Sequence, residues 1–288
     1  MKYEGVYFMK KTLIALAVAA SAAVSGSAMA GLGDFSAGNT DNTVNIGGII
    51  TPSQVKNKWV WAVGQGYDNF THETTALTDS GKKLTIIARE NMPLLVGKTT
   101  EAFEGAPGLA PQIAFSDSKG GITPVWADDN AEGTMTLTVN DAQQKEIGSM
   151  KLNVNAIAPV GWAKTDASTG IDLRYHPTSS GSFTGSTGKF ASSPTFAKVN
   201  AILDAFGAPV FGDIERQIKS YPGLSGIHVV TSGVVGTTSD KYDSSGWAYA
   251  GAYALGISNG KALEVNFNSP VNAETHWTAP LKMQVSYK

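Results

Sequence analysis

Two stretches of this chain alternate apolar and polar residues without a break, and that alternation constrains the fold more than any other feature. They are Thr134-Met135-Thr136-Leu137-Thr138-Val139 and Ser149-Met150-Lys151-Leu152-Asn153-Val154-Asn155. A period of two puts every second side chain on the same face, which suits a strand with one buried and one solvated side. Further short runs of this kind are Val44-Asn45-Ile46-Gly47-Gly48-Ile49-Ile50, then residues 58–63, 83–88 and 111–115. Residues 252–257 and 262–267 flank Ser258-Asn259-Gly260, and Asn-Gly between two such runs predicts a β-hairpin. Clusters of Gly, Asn, Asp and Pro separate the runs, so the chain reads as mainly β, with a β-sandwich of immunoglobulin-like type as the expected architecture.

One interval interrupts the rhythm. From about 156 to 246 the pattern gives way to Ser-, Gly- and Thr-rich sequence and then to two helical segments. Ser193 and Pro194 suit an N-cap and a first turn. Phe196, Val199, Leu203 and Phe206 follow at helical spacing, and Gly207 ends the run. Asp213 is the expected cap of a second helix carrying Ile214, Ile218 and Tyr221 before Pro222. An immunoglobulin-like sandwich takes roughly 100 residues, so the surplus length is assigned to long loops and this inserted subdomain.

The N-terminal residues have the order of a secretory signal: Met9-Lys10-Lys11-Thr12, an apolar run over 13–24, and small residues ending in Ala28-Met29-Ala30. Cleavage is expected after Ala30, with Ala28 and Ala30 forming the recognition pair and Met9 the translation start. The apolar run is shorter than the roughly 20 residues a membrane-spanning helix needs. The expected division is a signal peptide at 1–30, an N-terminal extension at 31–51, and the main domain at 52–288 with its insertion. The chain has no cysteine, so in an oxidising compartment its core must hold the fold without disulfides. A formal net charge of −2 gives no electrostatic reason to expect nucleic acid.

Signatures of chemistry are sparse. Gly256-Ile257-Ser258-Asn259-Gly260 fits the G-x-S-x-G pattern of a nucleophile elbow, but a strand pattern follows it where a helix is required. His72, His176, His228 and His276 are dispersed and show no metal-ligand spacing. Asp128-Asp129-Asn130-Ala131-Glu132-Gly133 lacks the length of a calcium loop and reads as a solvated turn. No Gly-rich phosphate loop occurs. The residues therefore point to no enzyme, cofactor or metal. For carbohydrate binding, the insertion offers aromatic faces and planar polar groups in Trp162, Asp172, Arg174, Tyr175, His176 and Phe183. The bland alternative packs Trp162 and Phe183 under the insert and pairs Arg174 with Asp172.

Both ends of the main chain carry strands. Val44, Ile46, Gly48 and Ile50 share one face of an extended segment, and Leu281, Met283, Val285 and Tyr287 share one face of the last. They are either ordinary edge strands closing one sandwich or partners in strand exchange between subunits. In exchange, an extended segment of one chain fills an open groove on another by main-chain pairing and alternate side-chain pockets. A self-contained secreted binding protein or hydrolase is the rival from a different class.

The sequence resembles the FaeG and ClpG type of fimbrial subunit, the kappa class of chaperone–usher fimbriae. The likeness runs through the signal, 45–51, 59–64, 93–103, 111–117, 252–260 and 277–281, and covers roughly 9–155 and 247–288 in order. It implies an incomplete immunoglobulin-like sandwich completed in the fibre by the N-terminal extension of the next subunit, with Val44, Ile46, Gly48 and Ile50 as the donor face. It also implies a periplasmic chaperone holding Leu281, Met283, Val285 and Tyr287, an outer-membrane usher, and copies of the same chain as neighbours in a surface fibre. Some members of the family also act as adhesins for host glycoproteins or glycolipids through the inserted region. A non-adhesive structural subunit is the alternative within the family.

Overall fold

The computed structural model describes residues 58–288 except Asp128 and Thr231. The expected signal, cleavage pair and 31–51 extension lie outside the described residues. In chain order the strands are β1 (Trp59–Val63), β2 (Lys83–Ile87), β3 (Met92–Thr99), β4 (Phe103–Glu104), β5 (Pro111–Asp117), β6 (Gly120–Ile122) and β7 (Val125–Trp126). They continue as β8 (Glu132–Asp141), β9 (Glu146–Ile157), β10 (Pro159–Lys164) and β11 (Ile171–Tyr175). Helices α1 (Phe196–Ala205) and α2 (Phe211–Lys219) follow. The chain closes with β12 (Val229–Val230), β13 (Gly236–Thr237), β14 (Trp247–Ile257), β15 (Ala262–Phe267), β16 (Trp277–Thr278) and β17 (Lys282–Tyr287).

A large sheet runs β12-β11-β10-β14-β9-β15-β2, with β3 and β4 on the far edge of β14, β1 beyond β3, and β8 on β9. A small sheet, β17-β5-β6, packs over it. The core between them holds Leu137, Met150 and Leu152 from the large sheet with Ile113 and Phe115 from the small one. This is the expected β-sandwich of immunoglobulin-like type with two inserted helices.

The spine is a single long strand. Ile157 faces Ala254 and Val160 faces Gly251 in one unbroken register, so β9 and β10 act together and only Ala158 separates them. Opposite them, every residue of β14 from Ala248 to Ile257 is buried. Its alternation sorts the two faces by size. Tyr249, Tyr253 and Leu255 enter the sandwich core, whereas Ala248, Ala250 and Ala254 face the helices. Methyl-sized residues let α2 sit close against the sheet. A β-carbon on Gly161, the β10 partner of Ala250, would lie 2.8 Å from both Ile214 and Ile218 of α2.

Three sequence expectations need correction. The Asn259-Gly260 turn does not join a hairpin, because β14 and β15 both pair with β9 and not with each other. Residues 257–262 span an interval where β9 advances only past Asn153 and Val154, so the turn moves the chain along one edge. Its bonds go elsewhere: Gly260 N–H donates to Ala88 O at 2.8 Å, and Asn259 N–H donates to Asn91 Oδ1 at 2.9 Å. The first helix is capped by Thr195, two residues past the expected Ser193, with Lys198 N–H donating to its side chain at 3.2 Å. Asp213 lies at the third position of α2, where Oδ2 accepts from Val210 N–H at 3.1 Å; Asn200 Oδ1 accepts from Phe211 N–H. The expected apolar positions Val199, Leu203, Phe206, Ile214 and Ile218 are buried in the helix–sheet core.

Enlarging the small face of β14 tests this packing. Ala250→Leu is expected to lower unfolding free energy by about 1–3 kcal/mol in chemical denaturation.

Candidate functional site

The last strand is the least complete part of the sandwich. On β17, Met283, Val285 and Tyr287 turn toward the core, as the alternation requires, yet all are only half-buried, and so is Leu281 just before the strand. On β1, exposure rises along the inward face, from 2% at Trp59 to 59% at Val63. Both strands pair on one edge only among the described residues: β1 with β3, and β17 with β5.

Ladder chemistry identifies the groups on the other edges. Lys288 and Ala110 exchange both N–H···O bonds, and in an antiparallel ladder such pairs recur every second residue. The even positions of β17 are therefore bonded to β5, and the backbone groups of Met283 and Val285 point to the outer edge. By the same logic, Thr100 N–H donates to Lys58 O and Gly64 N–H to Leu94 O, which turns the backbone groups of Trp61 and Val63 outward. The two rims meet at one end, where Trp61 Nε1–H donates to Tyr287 Oη at 2.8 Å. Toward the other end a cleft of about 600 Å3 opens, with Leu137, Met150, Leu152 and Leu263 at its floor and Val63, Leu281 and Met283 at its rims. Two parallel rims of outward-facing backbone over an apolar floor are the features of a receptor for one extended strand.

The insertion sorts its expected carbohydrate residues by depth. Tyr175, His176 and Phe183 are buried: Tyr175 packs edge-on against Phe190, and the other two lie in the aromatic core with Trp59, Tyr242 and Tyr253. His176 Nε2 meets Tyr242 Oη at 3.1 Å, while Nδ1 has no hydrogen-bond partner among the described residues. Trp162, Asp172 and Arg174 reach the surface together. Trp162 stands opposite Asp172 on β11 and Tyr249 on β14, and Arg174 stands opposite Val160. Arg174 grips Asp172 through two bonds, Nε–H to Oδ1 at 2.8 Å and Nη2–H to Oδ2 at 3.1 Å. Trp247 and Lys164 extend the same face; they are cross-strand partners, with the ammonium 5.7 Å from the indole centroid. Sequence reasoning passed over these two, although Trp162-x-Lys164 and Trp247-x-Tyr249 carry the period-two signal.

A second cleft, about 1130 Å3, lies between α2 and the segment joining β3 to β4, lined by residues including Lys98, Glu101, Arg216 and Tyr221. It is on the helix-bearing side of the sheet. Among the described residues no cluster of His, Asp and Glu is arranged to hold a metal ion.

The fold is a β-sandwich whose terminal strands β1 and β17 each pair on one edge only among the described residues. The chain belongs to the K88 fimbrial family, described as fimbrial major and minor subunits, which it matches over residues 9–288. It is 35% identical to K88 fimbrial protein AC of Escherichia coli over 97% of this chain and 100% of that relative. It is 34% identical to K88 fimbrial protein AB of Escherichia coli at the same coverage. F41 fimbrial protein of Escherichia coli is 29% identical, also over 97% of the chain and 100% of the relative. The chain is thus a structural subunit of a bacterial surface fimbria and not an enzyme, exported through the periplasm and associating with its neighbours in the fibre.

The buried histidine sets a pH limit on this fold. Burial pushes the His176 imidazole down to about 3, against about 6.5 in an unfolded chain. Below pH 6.5 the unfolded chain takes up a proton that the folded one refuses, so stability falls as pH drops from 6.5 toward 3. The slope from this group approaches 1.4 kcal/mol per pH unit. Urea unfolding between pH 6.5 and 4.5 is expected to show this slope, and His176→Gln should flatten it.

Proposed function

We propose that this subunit polymerises by donor-strand complementation: residues 44–50 of one chain occupy the groove between β1 and β17 of the next. The observation that carries this reading is the pair of rims over an apolar floor, with Met283 and Val285 presenting backbone groups to an edge that pairs with no other strand among the described residues. Val44, Ile46 and Ile50 supply side chains for alternate pockets, each worth about 1.5–3 kcal/mol when fully buried, and Gly48 fits where the floor leaves little room. Before assembly the same rim, with Leu281, Met283, Val285 and Tyr287, is held by a periplasmic chaperone that delivers the subunit to an outer-membrane usher. Cleavage after Ala30, at the Ala28-Met29-Ala30 site, frees the donor extension.

The subunit also acts as an adhesin for host glycoproteins or glycolipids. The surface face formed by Trp162, Asp172 and Arg174 supports this role, because it joins an aromatic ring to a planar, bidentate ion pair. His176 and Phe183 act as packing in the sandwich core, and Tyr175 as packing on the helix side of the sheet.

Face parity tests the polymerisation. Ile46→Asp and Val285→Asp are expected to abolish heat-resistant multimers of the full chain on gels, whereas Asn45→Asp and Gln284→Asp, on the opposite faces, should leave them. Multimers that survive all four substitutions would contradict the reading and favour a self-contained domain.

A further inference from the structure

We infer that Met283 is an oxidation site, open only while the groove between β1 and β17 is empty, with a peroxide as its oxidant, and that its sulfoxide keeps the donor strand out. The inference rests on the donor-strand reading and deepens it by giving the groove a chemical control.

The placement of sulfur carries it. The chain has seven methionines and no cysteine. Met1, Met9 and Met29 precede the expected cleavage after Ala30, which leaves Met92, Met135, Met150 and Met283. Three of those four line the cleft of about 600 Å3 at the open end of the groove, and Met135 does not. The three differ in depth. Met92 and Met150 are each 5% exposed, whereas Met283 stands half-buried on the rim, at the second position of β17. A peroxide must reach the sulfur to oxidise it, so Met283 reacts ahead of the deeper pair, and Met135, sealed in the core, reacts last.

The reaction is an oxygen-atom transfer. The sulfur lone pair attacks one peroxide oxygen, an S–O bond forms as the O–O bond breaks, and the sulfur gives up two electrons. The transferred oxygen surrenders its proton, and the other oxygen leaves as water. A flexible apolar side chain thereby becomes a polar one, and its oxygen needs a hydrogen-bond donor once it is covered. Around it stand Phe115, its cross-strand partner on β5, and Leu137, Leu152 and Leu263 at the floor. None of these can donate. The arriving face of Val44, Ile46, Gly48 and Ile50 brings no donating side chain either. Occupancy and reactivity thus exclude each other. A donor strand or the chaperone covers Met283, so oxidation selects subunits that have lost both and withdraws them from polymerisation.

The test uses the full chain carrying Ile46→Asp, whose own donor is defective and whose groove is intact, with circular dichroism to verify folding. It is treated with hydrogen peroxide, with and without a saturating synthetic peptide of residues 40–52, and mass spectrometry follows the gain of oxygen at each methionine. Calorimetry measures peptide affinity before and after. Met283 is expected to oxidise first in the empty groove, and to be shielded by the peptide and in assembled wild-type fibres. Oxidation should weaken peptide binding by about tenfold or more, and methionine sulfoxide reductase should restore it. Met283→Leu has its own affinity, and peroxide should leave that value where it was. Equal oxidation of Met283 in empty and filled grooves, or undiminished peptide binding by the sulfoxide, overturns the inference while the donor-strand reading stands. A peroxide-induced loss in Met283→Leu as large as in its parent overturns it too. If the untreated groove binds no peptide, the donor-strand reading falls and takes the inference with it.

Discussion

Strand β14 crosses the molecule with no solvent face from Ala248 to Ile257, and the rest of the architecture follows from that burial. A strand covered on both sides needs a partner layer on each, and its sequence prescribes them. The tyrosine face requires a deep apolar core in which phenol groups find acceptors. Tyr253 donates to Ser186 O at 2.8 Å, and Tyr249 donates to Asp240 at 3.2 Å. The alanine face requires a closely approaching element, which α2 provides. The insertion is therefore structural before it is functional: without it, one face of the central strand would be bare.

The same burial explains where incompleteness is tolerated. A gap in the middle of the sheet would expose β14, whereas a gap between β1 and β17 exposes only peripheral side chains, the half-buried ones of β17 and Val63 of β1. An unpaired edge is still a liability, because it invites non-specific pairing. In the proposed assembly that liability becomes the means of association. The bond from Trp61 to Tyr287 ties the rims at one end, which keeps the groove in shape while leaving the apolar end open.

Much of this was legible in the sequence wherever one face of a strand is buried and the other wet. The strands at 59–63, 83–87, 111–117, 132–141 and 146–157, the terminal strand, and both helices with their buried faces are visible as periodicity. What escaped was the first half of β14, the apolar run of β3 and whatever is decided at long range. Strand β3, Met92–Thr99, is a nearly continuous apolar run with a proline in it, so it shows no period of two. Asn259-Gly260 has hairpin chemistry, but the edge of β9 outcompeted the neighbouring strand as partner. Aromatic type alone also could not separate Trp162, half-exposed, from Phe183 and His176, both sealed in the core. Depth depends on long-range packing: the register of β10 against β11 and β14 places Trp162, whereas Phe183 and His176 are sealed by Trp59, Tyr242 and Tyr253.

The central claim is that the groove of one chain receives the donor segment of another. The most direct measurement joins two defective partners, one carrying Ile46→Asp with an intact groove and the other Val285→Asp with an intact donor segment. Each alone lacks half of the interface. Co-expressed, they retain one working donor–groove pair, so the account predicts a heat-resistant heterodimer that stops at two chains, seen by size-exclusion chromatography and by mass. Only monomers from the mixture, with each variant folded and stable by itself, would contradict it.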